Sequence, residues 1–163
     1  MKYRTGWSSH LPVLAKVLRV TKGSVLELGM GIFSTPFLHW MCLADGRREL
    51  FSYESNERYF KEQRLFSRGF HKIKLVKDWD KIDIDKPWCV AFIDHEAERR
   101  KIEIRRLSWH ARYIVVHDTQ PQAEQEYGYN EIYPLFKYRR DYKFSRANTS
   151  VLSNFKDLSE LDA

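Results

Sequence analysis

The stretch Val25-Leu26-Glu27-Leu28-Gly29-Met30-Gly31-Ile32-Phe33-Ser34 constrains the fold more than any other part of the chain. A short apolar run that meets Gly-x-Gly and then a helical segment reads as a strand, a tight turn and a helix start, the unit from which α/β sheets are built. Glycine admits positive φ and lets another group approach where a Cβ would clash, while the first turn of the following helix offers N–H groups with no partner inside the helix. Such a turn suits a ligand with a polar, nucleotide-like body. Glu27 is an acid inside an otherwise apolar strand, and Glu54 ends the next apolar run, Leu50-Phe51-Ser52-Tyr53-Glu54. An acid about 20 residues downstream of the turn is placed to bond ribose hydroxyls.

The rest of the chain alternates in the same way. Residues 11–20 carry Leu11, Leu14, Ala15 and Leu18 on one helical face after a Ser-Ser-His-Leu-Pro start, and 34–44 and 56–66 read as further helices. Residues 72–77 alternate apolar and basic side chains, as an edge strand does. Trp88-Cys89-Val90-Ala91-Phe92-Ile93 and Tyr113-Ile114-Val115-Val116 are apolar on both faces, as central parallel strands are, with a helix over about 96–108 between them. Repeated strand–helix alternation predicts an α/β fold: one Rossmann-like, doubly wound, mostly parallel sheet with helices on both faces. Residues 138–146 and 149–155 are β-rich with no room for a crossover helix between them, which predicts a closing antiparallel hairpin over 137–155. No repeat or linker divides the chain, so residues 1–163 read as one domain with 1–22 as an N-terminal helical cap segment.

A length of 163 residues is enough for one packed core and too short for a cofactor domain plus a separate substrate domain, so loops and termini must hold any substrate. The formal charge of +6 is compatible with an anionic partner, but many soluble enzymes reach it too. Cys42 and Cys89 sit in apolar surroundings and read as free thiols. Lys16 and Arg19 interrupt the only apolar stretch near the N-terminus, which argues against a secretory leader or a membrane partner and makes a reduced, cytoplasmic setting the default expectation.

In a parallel sheet, residues that end strands converge on one rim, where doubly wound folds bind ligands. Glu27 with Gly29 and Gly31, Glu54, Asp78, Asp94 with His95, and His117 with Asp118 all follow or end a predicted strand. Asp78 reads equally well as a surface acid, whereas Asp94 and Asp118 end the two most apolar strands.

Glu27-x-Gly29-x-Gly31-x-x-Ser34 resembles the first motif of the class I S-adenosylmethionine-dependent methyltransferases, and the likeness extends over nearly the whole chain. Trp7-Ser8-Ser9-His10 and residues 138–155 are similar to those of compact bacterial and phage members. The resemblance implies S-adenosylmethionine as cofactor, with Glu27, Gly29, Gly31 and Ser34 at the turn, Glu54 on the ribose, and Asp78-Trp79 framing the adenine. Ser9 and His10, with the Tyr127-Gly128-Tyr129 loop, are expected to fold over the site. It also implies methyl transfer to a small acceptor, with oxygen the favoured atom.

For that chemistry the chain must align donor and acceptor and take a proton from the acceptor, and an imidazole titrates near neutrality. His117 is the first candidate base, with Asp118 to orient or replace it and Asp94 next. His95 belongs to the same group. The alternative for His95 and His117 is a bond to a backbone carbonyl that fixes a loop. Oxygen-directed family members that use magnesium hold it with acids after the fourth and fifth strands plus a neighbouring acid or amide. Here Thr119 follows Asp118, so no tightly bound metal is expected.

Arg99-Arg100-Lys101, Arg105-Arg106 and residues 137–146 interleave basic and aromatic groups, which leaves a nucleic-acid partner open without favouring it. Glu96, Glu98 and Glu103 alternate with the first two clusters, as on a solvated helix face. The Asn/Asp-Pro-Pro-aromatic signature of amino-directed nucleic-acid methyltransferases is absent; Asp94-His95-Glu96-Ala97 stands there. The competing reading is a non-catalytic nucleotide-binding or nucleic-acid-binding protein on the same fold. The sequence leaves the oligomeric state open.

Overall fold

Seven strands form one sheet in the computed structural model of the protein, which describes residues 7–144 and 146–162. The first six residues of the expected cap segment, and Ser145 of the expected hairpin, lie outside the described residues. The strands are β1 (Val25–Leu28), β2 (Leu50–Glu54), β3 (His71–Leu75), β4 (Trp88–Ile93), β5 (Ala111–His117), β6 (Tyr138–Tyr142) and β7 (Thr149–Ser153). Their order across the sheet is β3-β2-β1-β4-β5-β7-β6. β1 to β5 are mutually parallel, and β7 inserts antiparallel between β5 and β6. The closing pair is therefore the hairpin expected from the sequence, with its second strand on the inside.

The helices are α1 (Leu11–Arg19), α2 (Ser34–Ala44), α3 (Glu57–Gln63), α4 (Ala97–Leu107) and α5 (Pro121–Glu126). Pro12 and Pro36 fall in first turns, where a missing N–H costs no helical bond. Asn56 caps α3 through Oδ1, which accepts the N–H groups of Arg58 and Tyr59. That helix ends at Gln63 and tightens into a 3-10 turn over Arg64–Phe66, three residues short of the α-helix expected to 66. The sequence reading did not include α5, whose Pro-Gln-Ala-Glu-Gln-Glu has no apolar period to announce it.

Strand side chains alternate between two cores. Leu26, Leu28, Ile93, Ile114 and Val116 pack with Ile104 and Leu107 of α4 on one face, while Val25, Val90, Phe92 and Val115 pack with Leu14 of α1 and Leu38 of α2 on the other. Both faces of the central strands are thus covered, which explains their continuous apolar runs. β3 is the edge its alternating pattern predicts. Among the described residues no helix is long and apolar enough to cross a membrane.

Candidate active site

Strand register brings the site together. Leu28 pairs with Tyr53 and with Ile93, and Ile93 pairs with Val116. One residue further along, Gly29, Glu54, Asp94 and His117 form a row across β2, β1, β4 and β5 at the C-terminal edge of the parallel strands. Three strand spacings of about 4.8 Å set Glu54 and His117 roughly 14 Å apart. A cavity of about 980 Å³ lies over this row, lined by Gly31, Ser34 and Glu54 and by Asp94, His117 and Asp118 among others, but not by Gly29.

Gly29 has φ +90°, and a Cβ there would lie 2.4–2.5 Å from the backbone of Asp94 and His95. Its bareness therefore serves the close passage of the β4 loop against β1. Gly31 is the glycine that lines the cavity, and a Cβ on it would reach within 3.2 Å of Ser34 Oγ.

Glu54 is buried at the rim, where Oε2 accepts the Met30 N–H and Oε1 accepts the Asn56 N–H, both at 2.7 Å. It braces the glycine turn from below while it faces the cavity, and burial raises its pKa above the usual carboxylate range. Glu27 is fully buried and does not line the cavity. Its Oε1 accepts from Thr35 Oγ1 at 3.0 Å, and Thr35 Oγ1 accepts the Gly31 N–H at 3.1 Å. Its Oε2 accepts from Ser52 Oγ at 2.5 Å, and the line continues through His71 Nε2 at 2.9 Å and from His71 Nδ1 to His39 Nδ1 at 3.0 Å. Burial pushes Glu27 up to about 7 despite the hydroxyls of Ser52, Ser34 and Thr35. Burial likewise lowers His71 to about 3 and holds His39 below its ordinary value, which favours the neutral form of both rings. None of Thr35, Ser52, His39 and His71 was marked by the sequence reading, although Ser52 interrupts an apolar strand as Glu27 does.

At the other end of the row, His117 Nδ1 lies 3.2 Å from Asp94 Oδ1 and 3.7 Å from Asp118 Oδ1, and its Nε2 lies 3.1 Å from Ser9 Oγ. Burial favours the neutral ring, but the Asp94 and Asp118 carboxylates outweigh it and hold the His117 pKa above its ordinary value. Burial works against the Asp94 carboxylate too, and is overcome by His117 and Arg100, which bring it down to about 2. Asp118 adopts φ +57°, a strained conformation for a non-glycine residue and one that recurs at functional sites. His10 is 2% exposed, lines the cavity, and has no hydrogen-bond partner at either nitrogen. Burial, reinforced by His117, lowers it to about 4. Ser9 and His10 thus stand against the His117 end of the row, away from Glu54.

Arg100 is the residue the sequence reading misplaced. Expected on a solvated face, it is buried, donating to Asp94 Oδ1 at 2.9 Å, to the His95 carbonyl at 2.7 Å and to the His117 carbonyl at 3.1 Å. Arg100, Glu103, Ile104 and Leu107 form the buried stripe of α4, an i, i+3, i+4, i+7 pattern that was legible had charged residues been admitted to it. Tyr127 and Tyr129 pack behind this guanidinium, the Tyr127 ring 4.9 Å from it and the Tyr129 hydroxyl 3.4 Å away, so that loop supports the site from beneath. Trp7, Arg146 and Ala147 line the cavity instead.

Three expected residues, Asp78, Trp79 and His95, point elsewhere. Asp78 caps a 3-10 turn through the Asp80 N–H and pairs with Lys81 at 3.0 Å, and Trp79 is buried against the His95 ring at 4.4 Å. Neither lines the cavity, because β3 ends opposite Glu54 at Leu75 and Asp78 lies three residues beyond. His95 lines the cavity but gives its Nε2 to Glu103 at 3.1 Å, turning toward α4 and away from His117. Most basic residues of α4 and β6 are internally paired, Arg99 with Asp80 and Glu103, Lys101 with Glu131, Arg106 with Asp85, Arg139 with Glu124 and Asp141, and Arg140 with Asp162, while Arg105 is exposed.

No protein-family model and no curated protein matches the sequence. Solved structures do match in shape. The METTL16 methyltransferase domain superposes with a TM-score of 0.66 at 10% identity, over 96% of this chain and 71% of that one. A Staphylococcus aureus protein assigned as a caffeoyl-CoA O-methyltransferase gives 0.66 at 11% identity, over 94% and 85%. The N-terminal domain of human METTL16 in complex with S-adenosylhomocysteine gives 0.55 at 12% identity, over 92% and 68%. At these identities the likeness is one of fold. With its strand order and the glycine turn after β1, the chain has the fold of the class I S-adenosylmethionine-dependent methyltransferases.

Proposed function

We propose that the chain, residues 1–163 acting as one domain, transfers a methyl group from S-adenosylmethionine to an oxygen atom of a small acceptor. The observation that carries this reading is the single row of Gly29, Glu54, Asp94 and His117 under one cavity, on a fold shared with methyltransferases. The cavity fits the cofactor. Gly31 leaves open the space a Cβ would fill, and Glu54 offers a carboxylate at one end of the row, both in the lining. Bound there, S-adenosylmethionine supplies an electrophilic methyl on a sulfonium that is its own leaving group.

The chain's residues divide the remaining work. Met30, Gly31 and Ser34 shape the turn that receives the cofactor, and Glu54 both holds that turn and accepts from hydroxyls of the ligand. Asp94 orients the His117 ring through Nδ1, and Arg100 fixes the Asp94 carboxylate. His117 Nε2 faces the N-terminal segment. Ser9 Oγ covers it, so the acceptor proton reaches the ring either after Ser9 swings aside or through its hydroxyl. Internal pairing of Arg99, Arg106, Arg139 and Arg140 favours a small acceptor over nucleic acid. The experiment is a screen for S-adenosylhomocysteine production across hydroxylated acceptors, with Asp94→Asn as the inactive control. Cofactor binding without turnover on any acceptor would leave a binding protein on the same fold.

A further inference from the structure

His10, Asp94 and His117 come from three elements: the segment before α1, the end of β4 and the end of β5. One donor atom from each lies within 4.8 Å of the others. His117 Nδ1 and Asp94 Oδ1 are 3.2 Å apart, and an ion about 2.1 Å from each donor sets neighbouring ligand atoms about 3.0–3.4 Å apart. The 4.8 Å limit exceeds that spacing by about 1.5 Å, within reach of a rotamer adjustment of His10.

A second observation points the same way. His10 is almost wholly buried, lines the cavity, and leaves both ring nitrogens without a partner, although buried polar atoms are rarely left so. Its ring packs on Phe92 at 4.8 Å and edge-on to His117 at 4.7 Å, which holds it facing the pair. His117 already has the outer partner that a metal-bound imidazole uses, with Ser9 Oγ on Nε2.

We propose that His10, Asp94 and His117 bind one divalent transition-metal ion at the reacting end of the cavity. Two imidazoles and one carboxylate suit zinc, iron, nickel or cobalt better than magnesium, which prefers oxygen donors alone. Three protein ligands leave positions open toward the cavity, the pattern of a site that receives a further ligand. Resting on the methyl-transfer reading, that further ligand is an oxygen of the acceptor. An imidazole whose Nδ1 holds an ion is not a base, so ligand and base are exclusive states of His117. The expectation of no tight metal counted carboxylates after the fourth and fifth strands; the fold adds two imidazoles that sequence spacing keeps 107 positions apart.

The test uses the full chain, stripped with a chelator and titrated calorimetrically with Zn²⁺ in the absence of S-adenosylmethionine. One ion per chain is expected, with Mg²⁺ at least tenfold weaker. His10→Phe keeps the aromatic packing on Phe92 and removes both nitrogens, and should weaken Zn²⁺ at least tenfold while leaving the far-ultraviolet circular dichroism unchanged. His110→Gln, just before the opposite end of β5, should leave it unaltered. Co²⁺ loading should give a visible absorption band that His10→Phe abolishes. Absence of Zn²⁺ binding, or binding that survives His10→Phe, overturns the site. A separate titration with S-adenosylhomocysteine keeps the two readings apart, since loss of one leaves the other standing.

Discussion

The Glu54 carboxylate takes the Met30 N–H on one oxygen and the Asn56 N–H on the other, each at 2.7 Å, so the acid that faces the cavity also ties the glycine turn to the end of β2. Glu54→Gln must turn an NH₂ toward one of those two N–H groups. Loss of a hydrogen bond to a charged acceptor costs about 1.5–3 kcal/mol, and the same loss at the ligand is roughly 10–100-fold in affinity. Thermal unfolding and calorimetry with S-adenosylhomocysteine should therefore both respond. A variant that loses affinity at unchanged stability would confine the acid to ligand binding.

The two glycines of the turn should behave differently. Gly29→Ala places a methyl against the Asp94 and His95 backbone at a φ of +90°, and should destabilise the fold by about 3 kcal/mol or more. Gly31→Ala meets only Ser34 Oγ at 3.2 Å, and should leave the unfolding temperature nearly unchanged while weakening the cofactor. Equal thermal stability of the two variants would contradict this division.

Glu27 should give the stability curve a pH dependence. Its folded pKa of about 7 lies above the unfolded value, so the native state holds its proton more tightly. The contribution is then fully present below about pH 4.5 and lost as pH rises toward 7, reaching of order 3 kcal/mol. Glu27→Gln carries no such charge and can donate toward Ser52. Its stability relative to the parent should grow between pH 4.5 and 7.5 in denaturant titrations. A difference that is flat with pH would show Glu27 to be ionised without penalty.

His117→Asn should lower turnover by about 10²–10⁴-fold with less than a threefold change in S-adenosylhomocysteine affinity, since a base acts in the transition state and not on the bound donor. Steady-state kinetics beside calorimetry separate the two effects. Equal losses in both would move His117 into cofactor binding.

The strand–turn–helix unit, the two central strands and the closing hairpin were readable because period and turn residues are local properties. So were Glu54, Asp94 and His117, which end or directly follow strands whose shared register brings them level, and Asp118, one residue beyond. Asp78 and Trp79 failed to reach the cavity because distance past a strand end is set by where β3 stops, which sequence marks only loosely. Arg100 was hidden for a different reason: a cation reads as exposed until the carboxylate and carbonyls that bury it are assembled from β4 and β5. The approach of His10 to His117 is likewise a product of tertiary packing, with α1 folded against the sheet.

The central claim is that the cavity over this row is built for S-adenosylmethionine. Calorimetric titration of the full chain with S-adenosylhomocysteine and, separately, with NAD tests it most directly. One S-adenosylhomocysteine per chain, weakened by Glu54→Gln, with no heat from NAD, is the expected result. Preference for NAD, or no binding of S-adenosylhomocysteine to a folded chain, would contradict it.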